Sequence, residues 1–172
     1  MRDRWFVSDS HFGHANMIKW WRPQFRDARH MDDHMIERWN SVVRPHDVVH
    51  HLGDICFEQE HLTSILPRLN GKLYLVLGNH DRLDAGFYDK HFKKVRGWFH
   101  YTEPGAAIVC THCPLHEASF LGRYKGSCIN VHGHIHGRSL NDPKYVNVCV
   151  EAIDYAPVHY DWLMAKARKL AA

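Results

Sequence analysis

The chain has 172 residues, of which 45% are hydrophobic and 24% charged, the balance of an ordinary globular protein long enough to bury a core of its own. Its 22 lysines and arginines against 19 acids leave a formal charge of +3, too mild a field to mark a nucleic-acid binder by charge alone, and no apolar run approaches a membrane span. The start, Met1-Arg2-Asp3-Arg4-Trp5, has no signal-peptide character and predicts a cytoplasmic protein, and 5 cysteines, an odd count, read as reduced thiols.

In chain order, Trp5-Phe6-Val7 predicts a buried strand running into Ser8-Asp9-Ser10-His11. A helix is expected over residues 31–43, where Met31, Met35, Trp39 and Val42/Val43 form a stripe at helical spacing and Pro45 stops it. Val48-Val49-His50-His51-Leu52 reads as a second strand and ends in Gly53-Asp54. Residues 58–69 are a helical candidate interrupted by Pro67. Further strands are expected at Leu73-Tyr74-Leu75-Val76-Leu77, Ala107-Ile108-Val109-Cys110 and Cys128-Ile129-Asn130-Val131-His132, and over residues 146–153. A closing helix is expected over 161–170. Strands alternating with helices, with no repeat or linker, predict one α/β layered domain spanning 1–172.

Histidine is the compositional outlier, 17 of 172 residues. Strand after strand runs into Asp, Asn or His, and in layered α/β folds ligands gather at the carboxyl ends of strands. Asp9 and His11 are two apart, as are His134 and His136, and such pairs on an extended chain point to one side. Asp54, Asn79 and His112 add a carboxylate, an amide and an imidazole from other strand ends. All are N or O donors, a set that suits Mn, Fe or Zn. They are too many for one tetrahedral ion and fit two ions about 3.5–4 Å apart. Taken singly, Gly78-Asn79-His80-Asp81 also suits a polar turn; taken together and in this order, the blocks point to a metal centre.

These blocks resemble the calcineurin-like metallophosphoesterases, in particular their small single-domain bacterial and phage branch. The family's Asp-x-His, Gly-Asp, Gly-Asn-His-Asp, lone His and Gly-His-x-His are matched at Asp9/His11, Gly53-Asp54, Gly78 to Asp81, His112 and Gly133 to His136. The resemblance implies a sandwich of two mixed β-sheets flanked by helices. It implies that Asp9, His11 and His136 hold one metal, that Asn79, His112 and His134 hold a second, and that Asp54 bridges them. It also implies that His80 acts on the leaving group and that Asp81 orients its ring. Two ions so held would be divalent or mixed-valence Mn, Fe or Zn and would activate water for in-line attack on phosphorus. The substrates implied are small phosphodiesters, nucleotides or nucleic-acid ends. A phosphomonoesterase acting on small phosphorylated metabolites and a non-catalytic metal-bound scaffold are the alternatives. The family's second block often continues with another Asp, whereas Ile55-Cys56-Phe57 follows here.

Substrate contacts are expected from His14, Arg82 and Arg123, with Lys125 and Arg138 as further cations. His14 also suits a solvated helix start, and the Arg123-Tyr124-Lys125 loop a solvated basic loop. Trp20-Trp21-Arg22 with Arg26 and Arg29 are expected as an aromatic and basic rim, although tryptophans more often belong to a core. Cys110-Thr111-His112-Cys113 spells C-x-x-C, but Pro114 follows at once where a redox motif would open a helix, and the thiols read as buried packing groups. Oligomeric state is left open.

Overall fold

A computed structural model describes residues 2–122 and 127–170. Nine strands form two mixed sheets. In the first, β1 (Arg4–Val7), β2 (Val48–His51), β3 (Lys72–Val76) and β4 (Lys94–Arg96) run parallel, and β9 (Val158–His159) pairs antiparallel with β1. In the second, β6 (Ala106–Thr111), β7 (Ser127–His132) and β8 (Tyr145–Asn147) run parallel, with β5 (Phe99–Glu103) antiparallel to β6. The helices are α1 (Asn16–Trp20), α2 (Ala28–Val42), α3 (Gln59–Ile65), α4 (Ala85–His91) and α5 (Tyr160–Lys169).

Alternation along β1 sets the layers. Phe6 points between the sheets, where it meets Leu52, Val76, Ile108, Ile129 and Val131. Val7 points the other way, onto Met17, Met31, Met35, Trp39, Leu62 and Ile65 from the helices that cover the first sheet. The α2 stripe foreseen at Met31, Met35 and Trp39 is the buried face, and the Asp27 side chain caps its start by accepting the His30 N–H at 2.7 Å. α5 closes the inter-sheet core with Leu163, Met164 and Ala167. Full burial of a side chain the size of leucine contributes about 2 kcal/mol, so these layers supply most of the drive to fold.

As the interruption at Pro67 predicts, α3 stops at Ile65 and a 3-10 turn, Leu66–Arg68, accommodates the proline in its first turn. The structure departs from the sequence expectations in two places. Residues 146–153 are not one strand: β8 ends at Asn147, and Val150–Ala152 is a 3-10 turn. β4, β5, β9 and α4 were not foreseen. Among the described residues no helix is long and apolar enough to cross a membrane.

The carboxyl ends of β1, β2, β3, β6 and β7 lie together because one loop stitches both sheets. The N–H of Asp9 bonds to Gly53 O at 2.9 Å and that of Ser8 to Val148 O at 2.8 Å, while Gly133 N–H reaches His112 O at 2.8 Å.

Candidate metal centre

Five residues in the expected ligand set have left-handed backbone: Asp9 (φ 58°), His11 (φ 48°), Asp54 (φ 56°), His134 (φ 70°) and His136 (φ 50°). The extended geometry expected for Asp9/His11 and His134/His136 is therefore corrected. Left-handed turns, each costing about 1–2 kcal/mol for a residue with a Cβ, aim these side chains. Asp9 and His11 still converge, with His11 Nε2 3.8 Å from Asp9 Oδ1. His134 and His136 diverge to two neighbouring positions.

At the first position, Asp9 Oδ1 lies 3.8 Å from His11 Nε2 and 3.9 Å from His136 Nε2. At the second, Asn79 Oδ1 lies 2.9 Å from both His112 Nε2 and His134 Nδ1, and those nitrogens are 3.3 Å apart. Donors about 2.1 Å from a shared ion lie roughly 3.0–3.4 Å from one another, so the second set has the spacing of a coordination shell. Asp54 Oδ2 sits between the positions, 3.7 Å from His11 Nε2 and 3.4 Å from His112 Nε2.

Both carboxylates divide their labour. Asp54 Oδ1 accepts the His80 N–H at 2.8 Å, and Asp9 Oδ2 accepts the His134 N–H at 2.8 Å, leaving the other oxygen of each facing the histidines. Asp9 Oδ1 and both ring nitrogens of His11 are buried without a hydrogen-bond partner among the described residues. An unpartnered carboxylate oxygen beside an unpartnered imidazole nitrogen is costly unless a cation is shared, and the donor set fits one. Glycine backbone makes the approach possible: a Cβ on Gly78 would overlap Asp54 Oδ1, and one on Gly133 would overlap Asp9 Oδ2.

Electrostatics suit the candidate ligands to a cation. Burial drives the His11 imidazole down to about 2, keeping it neutral. Burial would raise Asp54, but the hydrogen bond and charge of His112 outweigh it and hold the carboxyl at about 2. His112 is buried too, yet Asp54 and Asp9 raise it. Its Nδ1 lies 2.9 Å from Leu52 O, which places the proton there and turns the Nε2 lone pair inward.

His80 stands beside this centre, its ring 5.6 Å from His11 and 4.9 Å from Phe57. Asp81 does not orient that ring. Its carboxylate accepts the N–H groups of Asp54 (2.7 Å), Gly78 (2.8 Å) and Ile55 (3.0 Å) and is spent on backbone. His14 lines a cleft of ≈ 290 Å³ with Phe12, Gly13, Phe57, Glu58 and His61; its Nδ1 is buried without a hydrogen-bond partner among the described residues, and Phe57 and Trp20 meet its ring edge-on.

The other sequence candidates divide. Arg82 is exposed and its Nε donates to Asn79 O at 3.1 Å, near the second position. Arg123 and Lys125 lie outside the described residues. Arg22 is no rim cation: it is fully buried. Arg26 and Arg29 are exposed and pair with Asp27, which caps α2, and Asp33 on it, and of the two expected rim tryptophans Trp20 is the exposed one. All five cysteines are free, and four are buried packing groups as expected; Cys113 is instead exposed, and its Sγ lies within 4.8 Å of ligand nitrogens on His112 and His134. Sequence reasoning missed Glu151, whose Oε1 is 3.3 Å from His136 Nδ1, although an acid closing Val148-Cys149-Val150 repeats the pattern that exposed the candidate ligands.

Two mixed sheets thus carry a histidine–carboxylate cluster at their strand ends. No family model matches the chain. An uncharacterized protein of Methanocaldococcus jannaschii, MJ1445, is 31% identical over 179 residues, covering 98% of this chain and 93% of its own length. The gene 66 protein of Mycobacterium phage D29 is 38% identical over 184 residues, covering 88% of this chain and 89% of the phage protein. The chain belongs to the family of these archaeal and phage proteins. Among solved structures it is similar to AQ665, a protein of unknown function from Aquifex aeolicus, with a TM-score of 0.74 at 24% identity over 95% of this chain and 98% of that one.

Proposed function

We propose that this chain is a single-domain, two-metal phosphohydrolase that cleaves small phosphodiesters, nucleotides or nucleic-acid ends. The observation that carries the reading is Asp54, pinned through one oxygen by the His80 N–H with the other between His11 Nε2 and His112 Nε2. Asp9, His11 and His136 would hold one ion, and Asn79, His112 and His134 the other. Mn, Fe or Zn suits this set of nitrogen and oxygen donors. When bound, such ions supply positive charge for phosphate oxygens and make a coordinated water acidic enough to react near neutral pH.

The rest of the chemistry falls to the chain. His80, on the loop after β3, would donate a proton or hydrogen bond to the departing oxygen. Burial and the neighbouring charges of His80 and Arg22 push His14 below its ordinary value, so it would meet a phosphate oxygen as a neutral hydrogen-bonding ring. The cleft between Phe57, His14 and His61 would give an organic substituent of the ester a place beside the reacting phosphorus. Arg82 and Arg123 are proposed as cations for the substrate's phosphate.

The test is hydrolysis of a chromogenic aryl phosphodiester and its matching monoester by protein loaded with Mn²⁺, alongside metal analysis. Faster diester cleavage with two ions per chain supports the reading. Monoester preference replaces it with a phosphomonoesterase, and metal retention without cleavage of either leaves a scaffold.

A further inference from the structure

We propose that Arg22 and Glu151, with the indole of Trp21, form a bracket that positions Asp9 and His136 and thereby sets the affinity of the first metal position. The inference rests on the two-metal reading above, and it concerns residues outside the ligand set.

Arg22 follows α1 and its side chain is fully buried. The guanidinium's oxygen partners lie on two segments, and Nη1 also faces the sulfurs of Met31 and Met35 on α2. Nη2 donates to Asp9 O at 2.6 Å and Nη1 to Ser10 O at 2.7 Å, while Nε donates to Glu151 Oε1 at 2.8 Å. Those carbonyls belong to the turn in which Asp9 and His11 take left-handed backbone, so the fork holds the turn in a conformation it would not keep unaided. The same Glu151 oxygen stands 3.3 Å from His136 Nδ1. A proton held on Nδ1 by that carboxylate leaves the Nε2 lone pair facing Asp9 Oδ1, the arrangement in which a carboxylate behind a ligating histidine fixes its tautomer and direction. The Trp21 ring stacks on His136, centroids 5.1 Å apart at 23°, and blocks rotation on that side.

A bracket serving stability alone would be poorly built. Burying an arginine–glutamate pair gains little over apolar packing, and Glu151 Oε2 remains buried with no hydrogen-bond partner among the described residues. What the arrangement does achieve is specific: one continuous chain of hydrogen bonds joins the backbone of Asp9 to the ring of His136 across a sequence separation that neither loop spans.

The experiment is Mn²⁺ titration calorimetry on the metal-free full chain, wild type against Glu151→Gln and Glu151→Ala, with thermal unfolding in chelator recorded for each. Two Mn²⁺ sites are expected in the wild type. Each variant should weaken one site by roughly 10–100-fold and leave the other within a factor of about two. Glu151→Gln preserves size and an acceptor for Arg22 but removes the negative charge behind the His136 ring, so it keeps the test decisive if Glu151→Ala fails to fold. Wild-type affinity at both sites in Glu151→Gln would overturn the bracket, as would equal weakening of both sites together with a lowered metal-free melting temperature, the mark of a merely structural role. A wild type that binds no Mn²⁺ would overturn the two-metal reading itself, and the inference with it.

Discussion

Asp81 accepts the backbone N–H of Asp54 at 2.7 Å, and through the same oxygen it accepts the N–H of Gly78 at 2.8 Å. One carboxylate thereby ties the loop after β2 to the loop after β3, and with them Asp54 to Asn79 and His80. Burial raises Asp81, while the three backbone donors oppose the shift. The residue is a brace for ligand-bearing backbone, not a partner for an imidazole.

That brace makes a prediction. Asp81→Ala would leave the Asp54, Ile55 and Gly78 N–H groups without their acceptor and should cost about 3 kcal/mol of stability, given 1–3 kcal/mol for each buried group left unsatisfied and some rescue by water. Asp81→Asn retains an acceptor oxygen and should lose less. Urea denaturation of the metal-free protein measures both. An Asp81→Ala variant as stable as wild type would show that the loops do not need the tie.

His80 and Asp54 should separate chemistry from metal retention. His80 contributes its N–H to Asp54 from the backbone, so His80→Ala keeps that bond and should retain both ions while lowering kcat by roughly 10²–10⁴. Asp54→Ala removes the oxygen between His11 and His112 and should lose both metal retention and turnover. Metal content measured beside kcat decides the matter. Full turnover by His80→Ala would remove it from the leaving-group role.

Glycine backbone gives a prediction about shape alone. A methyl group on Gly133 would collide with Ser8 Oγ and Asp9 Oδ2, both held in the buried turn after β1. Gly133→Ala should therefore displace Asp9 and weaken the first metal position, whereas Gly97→Ala, where a Cβ meets nothing within 4 Å, should bind metal as wild type does. Equal Mn²⁺ affinity for the two variants would contradict the close approach.

The strands that position the centre were legible because each is a short apolar run that stops at a polar residue, and burial on both sheet faces demands that pattern. β4 was not, since Lys94-Val95-Arg96 offers a single apolar residue at a sheet edge. β5 has an alternating face, Phe99 and Tyr101 inward, but half its surface is open and it carries no block of ligands. The candidate ligands were readable as motifs, while their local geometry was not: left-handed backbone at Asp9 or His134 leaves no mark in the side-chain pattern. Arg22 looked like a surface cation beside two tryptophans. Its partner Glu151 lies far along the chain, and only folding brings the two together.

His50 supplies a prediction about acid. It lies fully buried between Phe6, Tyr74 and Phe99, with Nε2 2.6 Å from Tyr101 Oη. Burial drives its folded value down from 6.5 to about 3. Between those values the unfolded chain binds a proton that the folded chain refuses, so the stability tied to this residue is complete above pH 6.5 and is lost as the pH falls toward 3. At 1.36 kcal/mol per unit, the loss from this residue by pH 5 is about 2 kcal/mol. His50→Phe keeps a flat ring against Phe6, gives up the bond to Tyr101 and cannot be protonated. The variant should be less stable than wild type at pH 8, yet its stability should fall less steeply between pH 6.5 and pH 5. Parallel slopes in urea denaturation across that range would show that His50 does not carry the acid sensitivity.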